Sequence, residues 1–357
     1  MTVVLAIGTK KGLWLATSDG SRATWDVTGP HHSMNDVYAV GFDTRRRKPR
    51  LLAGITSEHY GPSVAFSDDL GATWQEPDHA PIAFPADADA ALARVWQFAF
   101  GPPDVVYAGV EPSALFRSTD GGESFELVRG LWDHPHRPQW QPGFGGQAIH
   151  SIVPHPTDES RVTVAMSTGG VYVTTDGGDS WRARNVGIQA YRNPDPYPEF
   201  GQCVHKIAQH PDRPERFFAQ NHHGVYRSDD GAETWQSIAD GLPADFGFPM
   251  VVHPHRPDVI YNFPITADAE RYAPGGRCAV YRSEDAGKSW DALTSGLPEG
   301  FWNGVLRDAM CVDTAQPAGV YFGTRSGTVF ASADEGGNWS PVVEQLPDVL
   351  CVRAVVA

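Results

Sequence analysis

The chain has 357 residues, and its 43 Asp and Glu outnumber its 28 Lys and Arg, giving a formal net charge of −15. An acidic surface argues against nucleic-acid backbones and anionic membranes as main partners. Glycine (37) and proline (29) exceed ordinary usage and mark many turns, 11 Trp and 17 Phe supply material for a core, and no apolar run approaches the ~18 residues of a membrane span.

From the start of the chain, Val3 to Gly8 is a short, β-branched run with no basic residue before it. It reads as a strand and not as a secretory signal. Cys203, Cys278, Cys311 and Cys351 are scattered, with no Cys-x-x-Cys pair. No disulfide framework or zinc knuckle is expected, and a reduced, cytoplasmic setting is inferred.

A pattern Ser/Thr-x-Asp-x-Gly-x-x-Trp then recurs along the chain. It appears as Ser67-Asp69-Gly71-Trp74, Ser118-Asp120-Gly122-Phe125 and Thr174-Asp176-Gly178-Trp181. It continues as Ser228-Asp230-Ala232-Trp235, Ser283-Asp285-Gly287-Trp290 and Ser332-Asp334-Gly336-Trp339. A degenerate copy runs from Thr17-Ser18-Asp19 to Trp25, and the aspartates of all copies stand 49 to 56 residues apart. An Asp in a tight turn accepts hydrogen bonds from nearby amides, the Ser/Thr hydroxyl does so more weakly, and the Gly supplies a positive φ. The Trp opens the next strand and buries a large ring between neighbouring units. Asp69, Asp120, Asp176, Asp230, Asp285 and Asp334 are therefore assigned a structural role.

Between these turns the same four short strands repeat. In the fourth unit they are His150–Val153, Arg161–Ala165, Gly170–Val173 and Ser180–Ala183. Four alternating runs per ~50 residues describe a propeller blade. The chain opens on a second strand and ends on a first-type strand, Val349 to Val356, which should complete the N-terminal blade and close the ring. The expectation is an all-β, seven-bladed propeller of four-stranded antiparallel blades, one domain over 1–357.

The repeated motif resembles the Asp-box (BNR) repeat of sialidases, two-domain xyloglucanases, sortilin-type receptors and a photosystem-assembly propeller. The resemblance covers the full length and implies the propeller fold. It does not imply one function, because those proteins do unrelated things.

With strands A to D named outward from the axis, the A–B and C–D turns share one face and are short. His155-Pro156, His210-Pro211 and His253-Pro254 open A–B turns and read as turn formers. The D–A and B–C connections share the other face and are long: Pro77–Arg94 with a short helix at Asp87–Ala93, Leu131–Gln147, Gly187–Gln202, Thr266–Arg277 and Pro298–Leu306. Ten of the 14 His and four of the five Trp outside the repeated motif fall in or beside these connections. Long loops on a rigid scaffold are where binding and catalytic groups sit.

Aligning the A strands places Val37, Trp96, His150, His205, Phe248, Arg307 and Val352 near the axis on that face, with His59, His222 and Arg271 among the B–C tips. The expected ligand-binding set is His150, His205, Arg307, Trp96, Trp302, His59 and His222, with Trp96 and Trp302 as walls. Arg307 is the expected anion binder, since a guanidinium pairs well with carboxylate or phosphate.

Three functions compete. The first is a binding platform for a small molecule, carbohydrate or protein, without chemistry; no GxSxG, P-loop or GxGxxG motif calls for catalysis. The second is a metal-assisted hydrolase or lyase with a divalent ion on His150 and His205, which His222, His223 or His59 could join; apart from that ion, no cofactor is called for. The third is a glycoside hydrolase, whose two carboxyl groups would come from Asp36, Glu58, Glu111 or Asp308. The resemblance weakens this third option. The Phe/Tyr-Arg-Ile-Pro opening of typical sialidases is absent, and xyloglucanases clamp glucan between two propellers.

Overall fold

Short runs of β-branched and aromatic residues between tight turns favour short antiparallel strands, and the computed structural model builds them into seven sheets. It describes residues 1–77, 79–143, 146–190 and 193–357. Parts of three predicted long loops (Asp78, Phe144 with Gly145, and Tyr191 with Arg192) lie outside the described residues.

Blade 4 is typical, with strands A Ile149–Pro154, B Val162–Met166, C Gly170–Thr174 and D Arg182–Ala183, each pairing antiparallel with the next. Six blades have four strands. The second has three, Asp36–Asp43, Arg50–Ser57 and Gly61–Ser67, with a bridge between Phe66 and Gln75 in place of the fourth. The ring closes as expected. Val349–Val356 is the inner strand of blade 1 and pairs antiparallel with Thr2–Thr9, from Val3 opposite Val356 to Thr9 opposite Val349. A buried clasp reinforces the junction: Arg22 of blade 1 meets Asp313 of blade 7 at 3.1 Å and donates to the Pro317 and Ala333 carbonyls.

The aspartate turns are self-braced. In the turn at Asp69, the Ser67 hydroxyl donates to the carboxylate at 2.7 Å and accepts the Gly71 amide at 2.8 Å. The Thr73 amide and hydroxyl both donate to Asp69, and with Ser67 they hold its carboxyl down to about 2. The same bonds recur around Asp120, Asp176, Asp230 and Asp285. The turn needs a positive φ, and Ala232 adopts it at +71° where the other five near-consensus copies have Gly. The aromatic that follows ties one blade to the last: the Trp235 and Trp290 indoles donate to the Arg184 and Ile238 carbonyls of the preceding blades.

Apolar side chains fill the spaces between sheets. Tyr107 and Leu115 of blade 3 meet Ile149, Ile152, Val164 and Met166 of blade 4 in one such layer. Each fully buried side chain of this size contributes about 1.5–3 kcal/mol. Near the axis the sheets approach so closely that Gly109 has no room for a side chain. A Cβ there would lie 2.4 Å from the Ile149 carbonyl oxygen.

The helix expected at Asp87–Ala93 does not form. Only Ala86–Ala88 makes a 3-10 turn, stopped by Asp89 at a left-handed φ of 46°. So short a segment does not repay helix nucleation, and Ala90 and Leu92 pack on the core between blades 2 and 3 instead. Among the described residues, no helix is long and apolar enough to cross a membrane.

Candidate functional site

In blades 2 to 6 the A strand slips register at the same place, between Val37 and Ala39, Val95 and Gln97, Ile149 and Ser151, Val204 and Lys206, and Gly247 and Met250. The extra residues are Tyr38, Trp96, His150, His205 and Phe248 with Pro249. A bulge breaks the two-residue alternation and re-aims the side chain it carries. These side chains meet one another round the axis. Ring centroids lie 5.0 Å apart for Tyr38 and Trp96, 6.4 Å for Trp96 and His150, and 4.8 Å for His205 and Phe248. Arg307 completes the circle, its guanidinium 5.6 Å from the Trp96 ring and 5.0 Å from the Phe248 ring. Of the seven aligned positions, Trp96, His150, His205 and Phe248 are bulge residues and Arg307 joins them. In blade 2 Tyr38 occupies the bulge and Val37 is buried in the core, and in blade 1 the slip leaves out Leu350 while Val352 is buried in the core.

A cavity of about 700 Å³ opens over blades 4 to 7 on the face of the long connections. The D–A connections supply Gln139, Gln141, Asn193, Pro198 and Phe200 with their neighbouring Pro and Gly residues, and the B–C connections supply Ser167, Thr168, His222, Asp268 and Arg271. Cys203, His205, Phe246, Phe248 and Arg307 line it from the A-strand side.

Arg307 is the electrostatic centre of this cavity. Among the described residues it has no ion pair and no hydrogen bond, and its Nε is buried without a partner. Burial lowers the guanidinium pKa; Cys203 opposes that shift, Arg271 adds to it, and Asp308 weakly opposes it. Neighbouring cations are treated differently. Asp308, directly after Arg307, is held between Lys206 and Arg353, the latter at 2.8 Å, so its negative charge is taken up beneath the cavity. Arg271 donates to the Asp268 backbone carbonyl at 3.0 Å.

His205 and His150 are both neutral at pH 7. Burial, and then the nearby Arg307 charge, push their pKa values well below the ordinary histidine value. His205 Nδ1 lies 2.6 Å from the Gly247 carbonyl, and His150 Nε2 lies 3.1 Å from the Ser167 hydroxyl. His150 Nδ1 is buried with no hydrogen-bond partner among the described residues. His222 stands 3.4 Å from Asp268.

The remaining expected residues scatter. Trp302 does not wall the cavity. It is 70% exposed and packs on Tyr272 at 5.1 Å, because Gly276 leaves a seat for its ring outside the funnel. His59 and Glu58 are exposed at the blade 2 loop tip, His59 against Tyr60, outside the cavity. Asp36 is paired with Lys10 at 2.7 Å. Glu111 accepts the Trp96 indole N–H at 3.0 Å and faces Arg94. Asp308 is buried in its cation cluster, which lowers its pKa against the cost of burial and unsuits it as a general acid. Among the described lining residues, Asp268 is the one carboxylate.

Sequence reasoning missed Cys203 and Asp268. Of the histidines considered for a metal, His205 and His222 come together. Among the described residues, the group of three ligand atoms within 4.8 Å of one another is Cys203, His205 and His222, and His150 is not part of it. The alternation Cys203-x-His205 was the available signal.

No family model matches the chain. A curated xyloglucanase from Paenibacillus sp is 22% identical over 273 residues, covering 67% of this chain and 26% of that protein. Among solved structures, a GH74 enzyme from Niastella koreensis superposes with a TM-score of 0.64 at 16% identity, over 94% of this chain and 52% of the other. An ancestral GH74 enzyme gives 0.56 at 18% identity, over 86% and 38%. YCF48 from Cyanidioschyzon merolae gives 0.50 at 15% identity, over 94% of both chains. The fold is thus that of the xyloglucanase-like propellers. This chain spans about a quarter of the curated relative and about half of the Niastella koreensis enzyme.

Proposed function

We propose that this propeller is a rigid platform that binds a small anionic molecule, a carboxylate or a phosphate, in the cavity at Arg307. The observation that carries this reading is an arginine without a counter-charge. A buried charge costs several kcal/mol unless it is paired, and proteins pair such groups where they serve stability alone. Here Arg22, Arg353 and Lys206 each have a carboxylate in contact, while the half-buried Arg307 contacts the ring faces of Trp96 and Phe248 and no carboxylate, Asp308 being held by Lys206 and Arg353. An anion entering the cavity would supply the missing partner, with charge-assisted, two-pronged hydrogen bonds. His205, neutral and fixed by Gly247, and the Phe246 and Phe248 rings would shape the rest of the ligand's envelope. The test is a calorimetric titration with a panel of small mono- and dicarboxylates and phosphate esters. Binding by the wild type that drops at least tenfold in Arg307→Met supports the reading. Equal binding by both, or no binding of any member, counts against it.

A second reading, glycoside hydrolysis, is favoured by the likeness to xyloglucanases. It has to find two carboxyl groups about 5–10 Å apart in the site. Asp268 alone is available among the described lining residues, so no release of reducing ends from xyloglucan oligosaccharides is expected. Release that disappears in Asp268→Asn would reverse that preference.

A further inference from the structure

We propose that Cys203, His205 and His222 form a site for one borderline-soft divalent metal ion, zinc foremost, in the wall of the axial cavity. The thiol sulfur and one nitrogen of each imidazole lie within 4.8 Å of one another. The convergence follows from the backbone. Cys203 precedes and His205 belongs to the inner strand of blade 5 (Val204–Gln209), while His222 directly follows the next strand, Phe217–Asn221. Val204 pairs with Asn221, and the His222 amide donates to the Cys203 carbonyl at 2.8 Å. One antiparallel pair therefore presents all three groups at its open end, and the bulge at His205 frees that ring from regular alternation.

The donor atoms are suited to the task. A carbonyl oxygen can only accept, so the 2.6 Å contact with Gly247 puts the proton of His205 on Nδ1 and leaves the Nε2 lone pair available. Such a backbone hydrogen bond on the non-ligating nitrogen is the usual outer support of a metal-bound histidine. His222 has Asp268 at 3.4 Å, a carboxylate–histidine arrangement of the same kind. A tetrahedral zinc ion with a thiolate at ~2.3 Å and imidazoles at ~2.0–2.1 Å sets its ligand atoms roughly 3.3–3.6 Å apart, within reach of small side-chain rotations. One thiolate and two imidazoles favour zinc or copper over magnesium or calcium. Three protein ligands would leave a fourth position, and all three line the cavity that Arg307 also lines. Burial raises the Cys203 thiol pKa, the Arg307 charge opposes that shift, and metal binding would displace the thiol proton to solution.

The full chain, stripped with chelator, is titrated with Zn(II) and with Co(II) by calorimetry and absorption spectroscopy. One equivalent is expected to bind, and the cobalt form should show a sulfur-to-metal charge-transfer band. Cys203→Ser should abolish the band, and both it and His222→Gln should weaken affinity at least tenfold with thermal unfolding still cooperative. Cys278→Ser, a buried thiol outside the cluster, should keep the band. Sub-stoichiometric binding, or wild-type affinity in both Cys203→Ser and His222→Gln, would overturn the assignment. Neither result bears on anion binding at Arg307, which is read without metal.

Discussion

Replacing Arg307 with Met should make the protein more stable while removing its ligand. The side chain gives up stacking on Trp96 and Phe248, 5.6 and 5.0 Å from its guanidinium, a loss of about 0.5–2 kcal/mol. It also removes an unpaired charge whose burial costs several kcal/mol, reduced here because the group borders an open cavity. The net expectation is a gain of about 1–2 kcal/mol. At about 2.1 cal/mol/K per residue, the chain has an unfolding entropy near 0.75 kcal/mol/K, so Tm should rise by about 1–3 °C. Arg22→Met provides the contrast. It leaves the buried Asp313 carboxylate without its cation, at a cost of about 3–5 kcal/mol and a fall of about 4–7 °C. Differential scanning calorimetry without added ligand reads both. A fall for Arg307→Met comparable to that for Arg22→Met would refute the reasoning, because Arg307 would then be a structural residue.

Three further outcomes follow from the same geometry. His150 and His205 have folded pKa values below the unfolded one, so the unfolded chain binds more protons below pH 6.5. Stability should therefore fall as pH drops below the unfolded histidine pKa of about 6.5, and His150→Gln should flatten that fall in chemical denaturation. The Asp69 carboxyl is depressed to about 2, so its contribution is complete above the unfolded carboxylate pKa and is lost as pH falls toward 2. Asp69→Asn should remove part of the acid-induced loss in that lower window. Gly109→Ala forces a methyl to 2.4 Å from the Ile149 carbonyl oxygen and should cost about 1–3 kcal/mol, read as a lowered Tm.

Much of the architecture is legible in the sequence because its signals are local. A braced aspartate turn depends on residues within seven positions of one another, and its recurrence counts blades. The terminal strand was readable for the same reason: Val349 to Val356 lacked a partner in its own unit. The inner circle of Trp96, His150, His205, Phe248 and Arg307 was also legible, since the strand they share is marked by the turn that follows it. What could not be read was the effect of bulges and loop packing. A one-residue slip exchanges Val37 for Tyr38 at the axis. The seat at Gly276 takes Trp302 out of the funnel, and Lys206 with Arg353, from blades 5 and 1, neutralises Asp308. The cluster at Cys203 joins three positions through strand pairing; the Cys203-x-His205 spacing hints at two of them, but nothing local announces that His222 joins them.

The most direct measurement is a crystal of the chain soaked in bromide and read by anomalous scattering. The strongest ordered bromide is predicted within hydrogen-bonding distance of the Arg307 guanidinium, inside the cavity, and absent from crystals of Arg307→Met. Bromide ordered at surface sites alone, with the cavity empty in both crystals, would contradict the account.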